Sequence, residues 1–270
     1  MSGPVRLEYR NVSMHFAAGG GQKQLTAVSG VSFLVRDGEV VSLIGPSGCG
    51  KSTLLNIGAG LVGPSAGEAF VDGEPLEGPN AHVAFMLQKD LLLPWRTVAE
   101  NVMFGVEIQG VPRGERRARA RALLDAFNLA EFADRYPYQL SGGMRQRVAL
   151  ARTLAVDPSV LLLDEPFSAV DAQTRMALQR DLAQTLKRAG KTALLITHDL
   201  LEAVTLSDRV LVMSRRPGRI IDEIEIDLPQ RENPIARRRD PKVHALVARL
   251  MDCLGIDQTA DQIGEQRSGN

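Results

Sequence analysis

Residues 5–44 alternate between apolar and polar side chains with a period of two. This period is typical of strands that turn one face to a core and the other to water. It predicts three strands, separated by a loop at Ala17–Gln24 and a turn at Asp37–Gly38. Clusters of turn-forming residues predict further turns at Gly63–Gly67 and Asp72–Gly73.

The middle of the chain changes to helical periodicity and then to short, continuously apolar runs. We expect a helix from Lys51 to about Gly60 and mainly helical structure over residues 95–155. Two buried strands are predicted at Val160–Asp164 and Thr192–Thr197, with a helix at about Gln173–Ala189 between them. A strand, a crossover helix and a second strand are typical of a parallel sheet.

Two further stretches show one polar and one apolar face. Gly114–Leu129 carries four arginines opposite its leucines, which favours a solvated helix face over a contact with nucleic acid. The tail after Asp227 is polar apart from the amphipathic stretch Pro241–Leu254. The last residues of the chain are expected to be disordered.

Composition excludes several classes of protein. Lys+Arg and Asp+Glu both total 32, so no net charge favours nucleic acid or an anionic membrane as a partner. The longest apolar runs, such as Val160–Leu163 and Ala193–Ile196, are far shorter than the ~20 residues of a spanning helix. No apolar secretory segment opens the chain, and Cys49 and Cys253 suit a reducing cytosol. If the protein serves a membrane, we expect it to act from the cytoplasmic face.

A glycine-rich segment follows an apolar strand and opens the first predicted helix. It satisfies the pattern G-x-x-x-x-G-K-[ST], and its residues are Gly45, Pro46, Ser47, Gly48, Cys49, Gly50, Lys51, Ser52 and Thr53. Glycines let backbone N–H groups turn inward around phosphate oxygens, and the helix N-terminus adds a positive dipole end. Lys51 is expected to reach the β- and γ-phosphates of ATP, and Ser52 to offer its hydroxyl to Mg²⁺. The strand–helix context disfavours an ordinary glycine-rich turn.

The predicted strand Val160–Asp164 ends in two carboxylates, Asp164 and Glu165. In a phosphate-loop fold, an acid at the carboxyl end of a neighbouring strand lies beside the nucleotide and can hold Mg²⁺. Glu165 would then polarise the attacking water as a general base. A strand that ends in Asp-Glu is commonplace by itself, and the phosphate loop upstream makes the functional interpretation the favoured one.

The segment Leu140–Arg147, upstream of these acids, resembles the signature motif of ATP-binding cassette (ABC) proteins. The family usually has Gln where this chain has Met144, but Ser141, Gly142 and Gly143 match the motif. Ser141 can cap a helix whose free N–H groups form an anion site. The resemblance implies that this site closes over the γ-phosphate held by a second subunit; without it, the serine would be a plain helix cap.

The resemblance covers residues 5 to about 225 and implies roles for other positions. Gln88 matches the glutamine that reaches the metal and the water, and His198 matches the switch histidine at the γ-phosphate. Ser168–Asp171 matches the loop that couples two sites across a dimer. Phe16 matches the aromatic position that stacks on adenine, with a core aromatic as the alternative.

Two segments narrow the resemblance to one branch of the family. Asp90–Val102 and Arg215–Ile221 are similar to the ATPase subunits of nitrate, sulfonate and taurine importers. Trp95, the only tryptophan, is expected either to line the groove that receives the permease's coupling helix or to pack inside the helical subdomain.

The resemblance implies an α/β fold: a P-loop NTPase (RecA-like) core, an N-terminal antiparallel β subdomain and an inserted α-helical subdomain. We expect an ATP-binding domain at residues 1–227, with the helical subdomain at about 90–155, and a partly helical tail at 228–270. Two copies would sandwich two MgATP and drive a separate permease supplied by an extracytoplasmic binding protein. The subunit would be peripheral, on the cytoplasmic face of the inner membrane, with no nucleic-acid partner.

Two alternatives share the same core chemistry. One is a soluble ABC ATPase of DNA repair, translation or cofactor assembly, although the chain shows neither a long coiled-coil insert nor a second cassette. The other is an export or lipid-transport ATPase, which the two branch-like segments disfavour by resemblance.

Overall fold

A computed structural model describes residues 3–17, 24–168 and 170–256 of the chain. Its strands are β1 Val5–Ala17, β2 Gln24–Arg36, β3 Val40–Ile44, β4 Ala66–Val71, β5 Glu74–Pro75, β6 Val83–Met86, β7 Val160–Asp164, β8 Thr192–Ile196, β9 Arg209–Met213 and β10 Ile220–Glu225. Its α-helices are α1 Lys51–Gly58, α2 Val98–Ile108, α3 Arg113–Ala126, α4 Gly142–Ala155, α5 Ala172–Ala189, α6 Leu200–Leu206, α7 Pro234–Arg237 and α8 Lys242–Leu254. Short 3₁₀ turns lie at Ala130–Phe132 and Pro137–Gln139.

The larger sheet has the strand order β10-β9-β3-β8-β7-β6. Strands β9, β3, β8, β7 and β6 pair in parallel, and β10 pairs antiparallel with β9 at one edge. Every residue of β3, β8 and β9 is buried, as expected for parallel strands that are covered on both faces. The predicted parallel sheet with crossover helices is therefore confirmed.

The smaller sheet is antiparallel, with the order β2-β1-β4-β5, and it packs against α1. Its contact with α1 includes Tyr9, whose buried hydroxyl donates to the Leu54 carbonyl at 2.8 Å. Tyr9 also stacks on Phe33, with ring centroids 4.5 Å apart. The β1–β2 hairpin is thus fixed beside the helix that follows the phosphate loop.

Helices α2, α3 and α4 form the helical insert and share one core with β7 and β8. A capping box of Thr97 and Glu100 begins α2. The buried Asn101 amide donates to the carbonyls of Leu93, Arg96 and Thr97, and its oxygen accepts from the Leu93 N–H at 2.7 Å. One side chain therefore holds the irregular segment that precedes α2.

The expected fold class is confirmed: an α/β core, an N-terminal antiparallel sheet and a helical insert. The boundaries differ slightly, because α1 ends at Gly58 and strand β4 already begins at Ala66. Residues 18–23, inside the predicted loop, and the predicted disordered end from residue 257 lie outside the described residues.

The tail packs on the core through α8, whose Val243 and Leu250 are buried with residues of α6 and β9. The short helix α7 was not predicted; its Arg237 is buried and donates to the carbonyls of Ser207 and Leu228. The division at residues 227/228 stays a prediction. Among the described residues, no helix is long and apolar enough to cross a membrane.

A buried ion pair joins both sheets, and it generates a stability prediction. The Arg209 guanidinium donates to both Glu39 oxygens (2.9 and 3.1 Å) and to the Leu34 carbonyl, while Glu39 is only 2% exposed. Arg209→Met leaves this carboxylate buried without its cation, so we expect the free energy of unfolding to fall by about 3–5 kcal/mol in urea denaturation.

The matched control is Arg119→Met, which breaks an exposed pair with Glu115 one helical turn away. This variant should change the free energy of unfolding by no more than about 0.5 kcal/mol. Equal losses in the two variants would contradict a special role for the buried pair.

Candidate functional site

The candidate site lies where three parallel strands end. Leu43 of β3 pairs with Ile196 of β8, and Ile196 pairs with Asp164 of β7. The carboxyl ends of these strands therefore meet at one edge of the sheet, where α/β folds bind ligands. The glycine-rich loop follows β3, and His198 lies just after β8. Asp164 is the last residue of β7, and Glu165 comes directly after it.

The glycine-rich loop curls tightly between β3 and α1. Gly50 has a φ of 105°, and a Cβ at this position would overlap the Val28 side chain of β2. Lys51 is buried, and its ammonium donates to the carbonyls of Gly45 at 2.7 Å and Pro46 at 3.0 Å. The loop therefore surrounds a lysine ammonium with close-packed backbone, as a phosphate cradle requires.

Ser52 and Asp164 form an oxygen pair beside this loop. The Ser52 hydroxyl donates a hydrogen bond to the Asp164 carboxylate. Burial raises the pKa of Asp164, and the Glu165 charge adds to this, whereas the Ser52 hydrogen bond and the Lys51 charge act against it. Hydroxyl and carboxylate oxygens are the donors that Mg²⁺ prefers, and a desolvated carboxylate is stabilised by a nearby cation. These residues therefore fit a magnesium ion.

Glu165 is the point where the other predicted residues converge. Its Oε2 atom lies 3.3 Å from the Gln88 amide nitrogen and 3.1 Å from Nδ1 of His198. Glu165 has a φ of 44°, a left-handed conformation that a non-glycine residue rarely adopts. Its backbone is held by the Ile196 carbonyl and by the Ser168 hydroxyl, at 3.0 Å each. A strained and well-anchored carboxylate of this kind is typical of a functional site.

Glu165, Lys51 and Ser52 line an open cleft of about 260 Å³, whereas Asp164, Gln88 and His198 are not among its lining residues. Phe16 and Leu25, which are 41% and 42% exposed, lie at its apolar side. Arg216 also lines the cleft, and its Nε donates to the Gly48 carbonyl at 3.0 Å. Arg216 could be predicted from the sequence only as part of a branch-like segment, because its contact with Gly48 spans 168 residues.

The signature residues lie elsewhere. Ser141 caps α4 by accepting a hydrogen bond from the Met144 N–H, and a Cβ on Gly143 would overlap Thr174 of α5. Among the described residues that line the cleft, none comes from Ser141–Gly143. The structure therefore does not bring the signature motif to the phosphate loop of the same chain.

Helix α4 is nevertheless tied to the acids of β7. The buried Gln146 amide donates to the Pro166 carbonyl at 2.5 Å, directly after Glu165. No sequence pattern predicts this contact, since the motif places Gln146 on α4 without identifying its partner. The signature helix is thus hydrogen-bonded to the residue that follows Glu165.

The segment between Gln88 and α2 exposes apolar side chains. Arg152 of α4 holds it by donating to the carbonyls of Asp90 and Leu91. Trp95 is 71% exposed and Tyr138 is 76% exposed; the latter stacks on Tyr136 with ring centroids 5.9 Å apart. We call Trp95, Tyr136 and Tyr138 the aromatic surface. Its exposure disfavours the alternative in which Trp95 packs inside the helical subdomain.

Glu202 is a buried carboxyl on α6, close to His198. Burial raises its pKa to about 7, and the Asp199 charge adds to the shift. Hydrogen bonds from Thr197 and Gln179 and the Arg175 charge act in the opposite direction. Glu202 was not predicted from the sequence, because a single glutamate in an amphipathic helix carries no sign of burial.

The chain is similar in sequence and in structure to proteins of known family. A family profile described as "ABC transporter" matches residues 28–168. The taurine import ATP-binding protein TauB of Burkholderia pseudomallei is 46% identical over 92% of this chain and 97% of that protein. The protein of the same name in Pseudomonas entomophila is 47% identical over 76% of this chain and 80% of its own length. A dimeric ATP-binding cassette bound to ADP and Pi is 31% identical, with a TM-score of 0.72, over 82% of this chain and 99% of that chain.

Glu202 generates a prediction of pH dependence. Because its pKa is raised in the folded state, the folded protein binds the proton more tightly than the unfolded chain between about pH 4.5 and 7. The free energy of unfolding should therefore fall as pH rises through this window. Glu202→Gln should remove this decrease and be more stable than the parent above pH 7, by up to about 3 kcal/mol.

Urea denaturation at several pH values measures this difference. The control is Glu225→Gln, at an exposed glutamate, which should follow the parent at every pH. If Glu202→Gln keeps the parent's pH dependence, the proton is bound elsewhere.

Proposed function

This chain belongs to the ABC transporter family and is one of its ATP-binding, Mg²⁺-dependent ATP-hydrolysing subunits, and we propose that it powers solute import through a separate membrane permease. The observation that carries the hydrolytic part of this proposal is the convergence of Gln88 and His198 on Glu165, beside the Ser52–Asp164 pair. Similarity to taurine import proteins supports the importer branch. The solute would be nitrate, a sulfonate, taurine or a related small molecule.

ATP would bind with its phosphates in the loop formed by residues 45–53. The backbone N–H groups of this loop and the dipole of α1 attract the phosphate oxygens, and the Lys51 ammonium neutralises their charge. The exposed ring of Phe16, at the apolar side of the cleft, would stack on adenine. Buried as it is, Lys51 exchanges two loop carbonyls for phosphate oxygens when nucleotide enters.

Ser52, Asp164 and Gln88 would hold Mg²⁺. The ion supplies charge that offsets the β- and γ-phosphate oxygens during phosphoryl transfer. Asp164 gains most from it, because burial disfavours the ionised carboxylate that the ion stabilises.

Glu165 would act as the general base for the attacking water. Gln88 donates its amide hydrogen to the Glu165 carboxylate and can orient it. His198 lies on the same oxygen and would contact the γ-phosphate. Hydrolysis then proceeds when Glu165 accepts a proton from water that is aimed at the γ-phosphate.

A second copy of the chain would complete each site. Ser141, Gly142 and Gly143 begin α4 with free N–H groups, yet they do not line the cleft of their own chain. The similarity to a dimeric cassette bound to ADP and Pi supports an arrangement in which this helix end faces the partner's γ-phosphate. Two MgATP would then be sandwiched between two chains.

The permease would dock on the aromatic surface. Trp95, Tyr136 and Tyr138 offer exposed aromatic rings, and the hydrogen bond from the Val98 N–H to the Arg135 carbonyl brings the chain just before Tyr136 next to the chain just after Trp95. Aromatic side chains of this size are enriched at interface hot spots. The subunit would therefore sit on the cytoplasmic face of the inner membrane, and the permease would receive solute from an extracytoplasmic binding protein.

Replacing Glu165 tests the catalytic assignment. Glu165→Gln keeps the side-chain volume but cannot accept the water's proton, so phosphate release should fall about 10²–10⁴-fold. Affinity for ATP should remain, since the phosphate loop and Asp164 are unchanged. With one carboxylate fewer at the closed interface, MgATP should hold the variant as a dimer in size-exclusion chromatography.

Asp164→Asn is the matched control, because it removes the neighbouring charge and should weaken the metal and the dimer together. Hydrolysis at the parent's rate by Glu165→Gln would place the base elsewhere, with His198 the next candidate. If Glu165→Gln is inactive but never dimerises, the assignment of Glu165 as the general base stands. The proposed dimer with two sandwiched MgATP would then lose its support.

Replacing Trp95 tests the docking surface. Trp95→Ala removes the largest exposed side chain of the aromatic surface, so the tagged variant should recover much less permease from its own membranes in mild detergent. Ile108→Ala is the matched control, since Ile108 is apolar and 72% exposed but lies at the end of α2. Equal recovery with both variants would exclude the aromatic surface as the dock. Melting temperatures of the two variants check that both are folded.

A further inference from the structure

The turn between β9 and β10 packs directly on the phosphate loop. The Gly218 N–H donates to the Ala27 carbonyl at 2.9 Å, and the Gly218 carbonyl accepts from the Ser29 N–H at 3.0 Å. A Cβ on Gly218 would overlap the Cys49 carbonyl. The turn is therefore wedged between β2 and the phosphate loop, with no room for a side chain at this point.

Ser214 makes this turn rigid. Its hydroxyl has the Arg215 carbonyl at 2.9 Å and the Pro217 carbonyl at 3.2 Å as acceptors, and it accepts from the Arg219 N–H at 3.1 Å. The Ser214 N–H also donates to the Arg219 carbonyl at 2.9 Å. The position of the residues at the tip, Arg215 and Arg216, is thus fixed by the backbone.

Arg216 points its side chain at the nucleotide cleft. One of its five N–H donors, at Nε, binds the Gly48 carbonyl, and its guanidinium lines the cleft together with Ser47 and Lys51. Within the described part of the chain, no carboxylate forms an ion pair with Arg216, whereas Arg209 and Arg231 each have such a partner. An unneutralised cation with free donors thus stands beside a loop that is built for phosphate.

We propose that Arg216 binds the phosphate chain of the nucleotide held in the cleft of its own subunit. The inference rests on the proposed nucleotide site and adds to it a cation that lies outside the phosphate-loop motif. Guanidinium groups suit phosphate oxygens because several parallel donors match their geometry. A single neutral donor would be enough to bind the Gly48 carbonyl. The positive charge of Arg216 and the other N–H donors of its guanidinium therefore remain available for the ligand.

The test compares ATP with tripolyphosphate, a probe that has phosphates but no base or ribose. Dissociation constants are measured by calorimetry in the presence of Mg²⁺ for the full chain. Arg216→Gln should weaken both ligands by the same factor, about tenfold, as expected for the loss of one charge-assisted hydrogen bond at an exposed site. Arg216→Lys keeps the cation and should recover most of that loss.

Arg215→Gln is the matched control, because Arg215 is the exposed neighbour of Arg216 in the same turn. The Arg215→Gln variant should bind both ligands with the affinity of the parent. Unchanged affinity in Arg216→Gln would overturn the proposal, and so would an equal loss in Arg216→Lys. A loss for ATP without a loss for tripolyphosphate would assign Arg216 to the base or ribose and also overturn it.

Lys51→Ala separates this inference from the proposed site. Parent-like affinity of Lys51→Ala for both ligands would contradict the nucleotide site itself. A large loss in Lys51→Ala together with no loss in Arg216→Gln would leave the site intact and overturn only the role of Arg216.

Discussion

The parallel pairing of β3, β8 and β7 is the constraint on which the site depends. Leu43, Ile196 and Asp164 occupy neighbouring positions across these strands. Along each strand, successive side chains point to opposite faces of the sheet. A shift of one residue would therefore exchange the side chains on one face for those on the other. Alternate residues of β8 pack into different cores, Ala193 and Leu195 into one and Leu194 and Ile196 into the other, and this separation fixes the register. The same register brings the phosphate loop, the acids and His198 to one edge.

Charge is distributed unevenly at this edge. Lys51 is buried with two carbonyls as partners, and burial raises the pKa of Asp164. Neither group has a bidentate ion partner of the kind that Arg209 has in Glu39. Buried charges without full partners are stabilised by an ion of opposite charge. A triphosphate with Mg²⁺ supplies both signs at once, which is why the edge suits this ligand.

Local patterns predicted the residues whose roles depend on neighbours in sequence. The phosphate loop and the Asp164–Glu165 pair could be predicted because strand, turn and helix signals surround them. Gln88 and His198 required the family resemblance, since one polar residue after a strand identifies nothing. Arg216 and Gln146 could not be assigned at all, because their partners, Gly48 and Pro166, are distant in sequence and only the fold brings them together.

Helix α4 connects the exposed surface with the chemistry. At its outer side, Arg152 holds the carbonyls of Asp90 and Leu91, in the segment that follows Gln88. At its inner side, Gln146 holds the Pro166 carbonyl beside Glu165. Gln88 itself reaches the Glu165 carboxylate, so the segment contacts that side chain directly, whereas the helix contacts the backbone of the next residue, Pro166. Packed interiors change between discrete arrangements rather than deform smoothly. A partner that bound the exposed surface and displaced α4 would therefore also move the Pro166 backbone, and with it the Glu165 side chain.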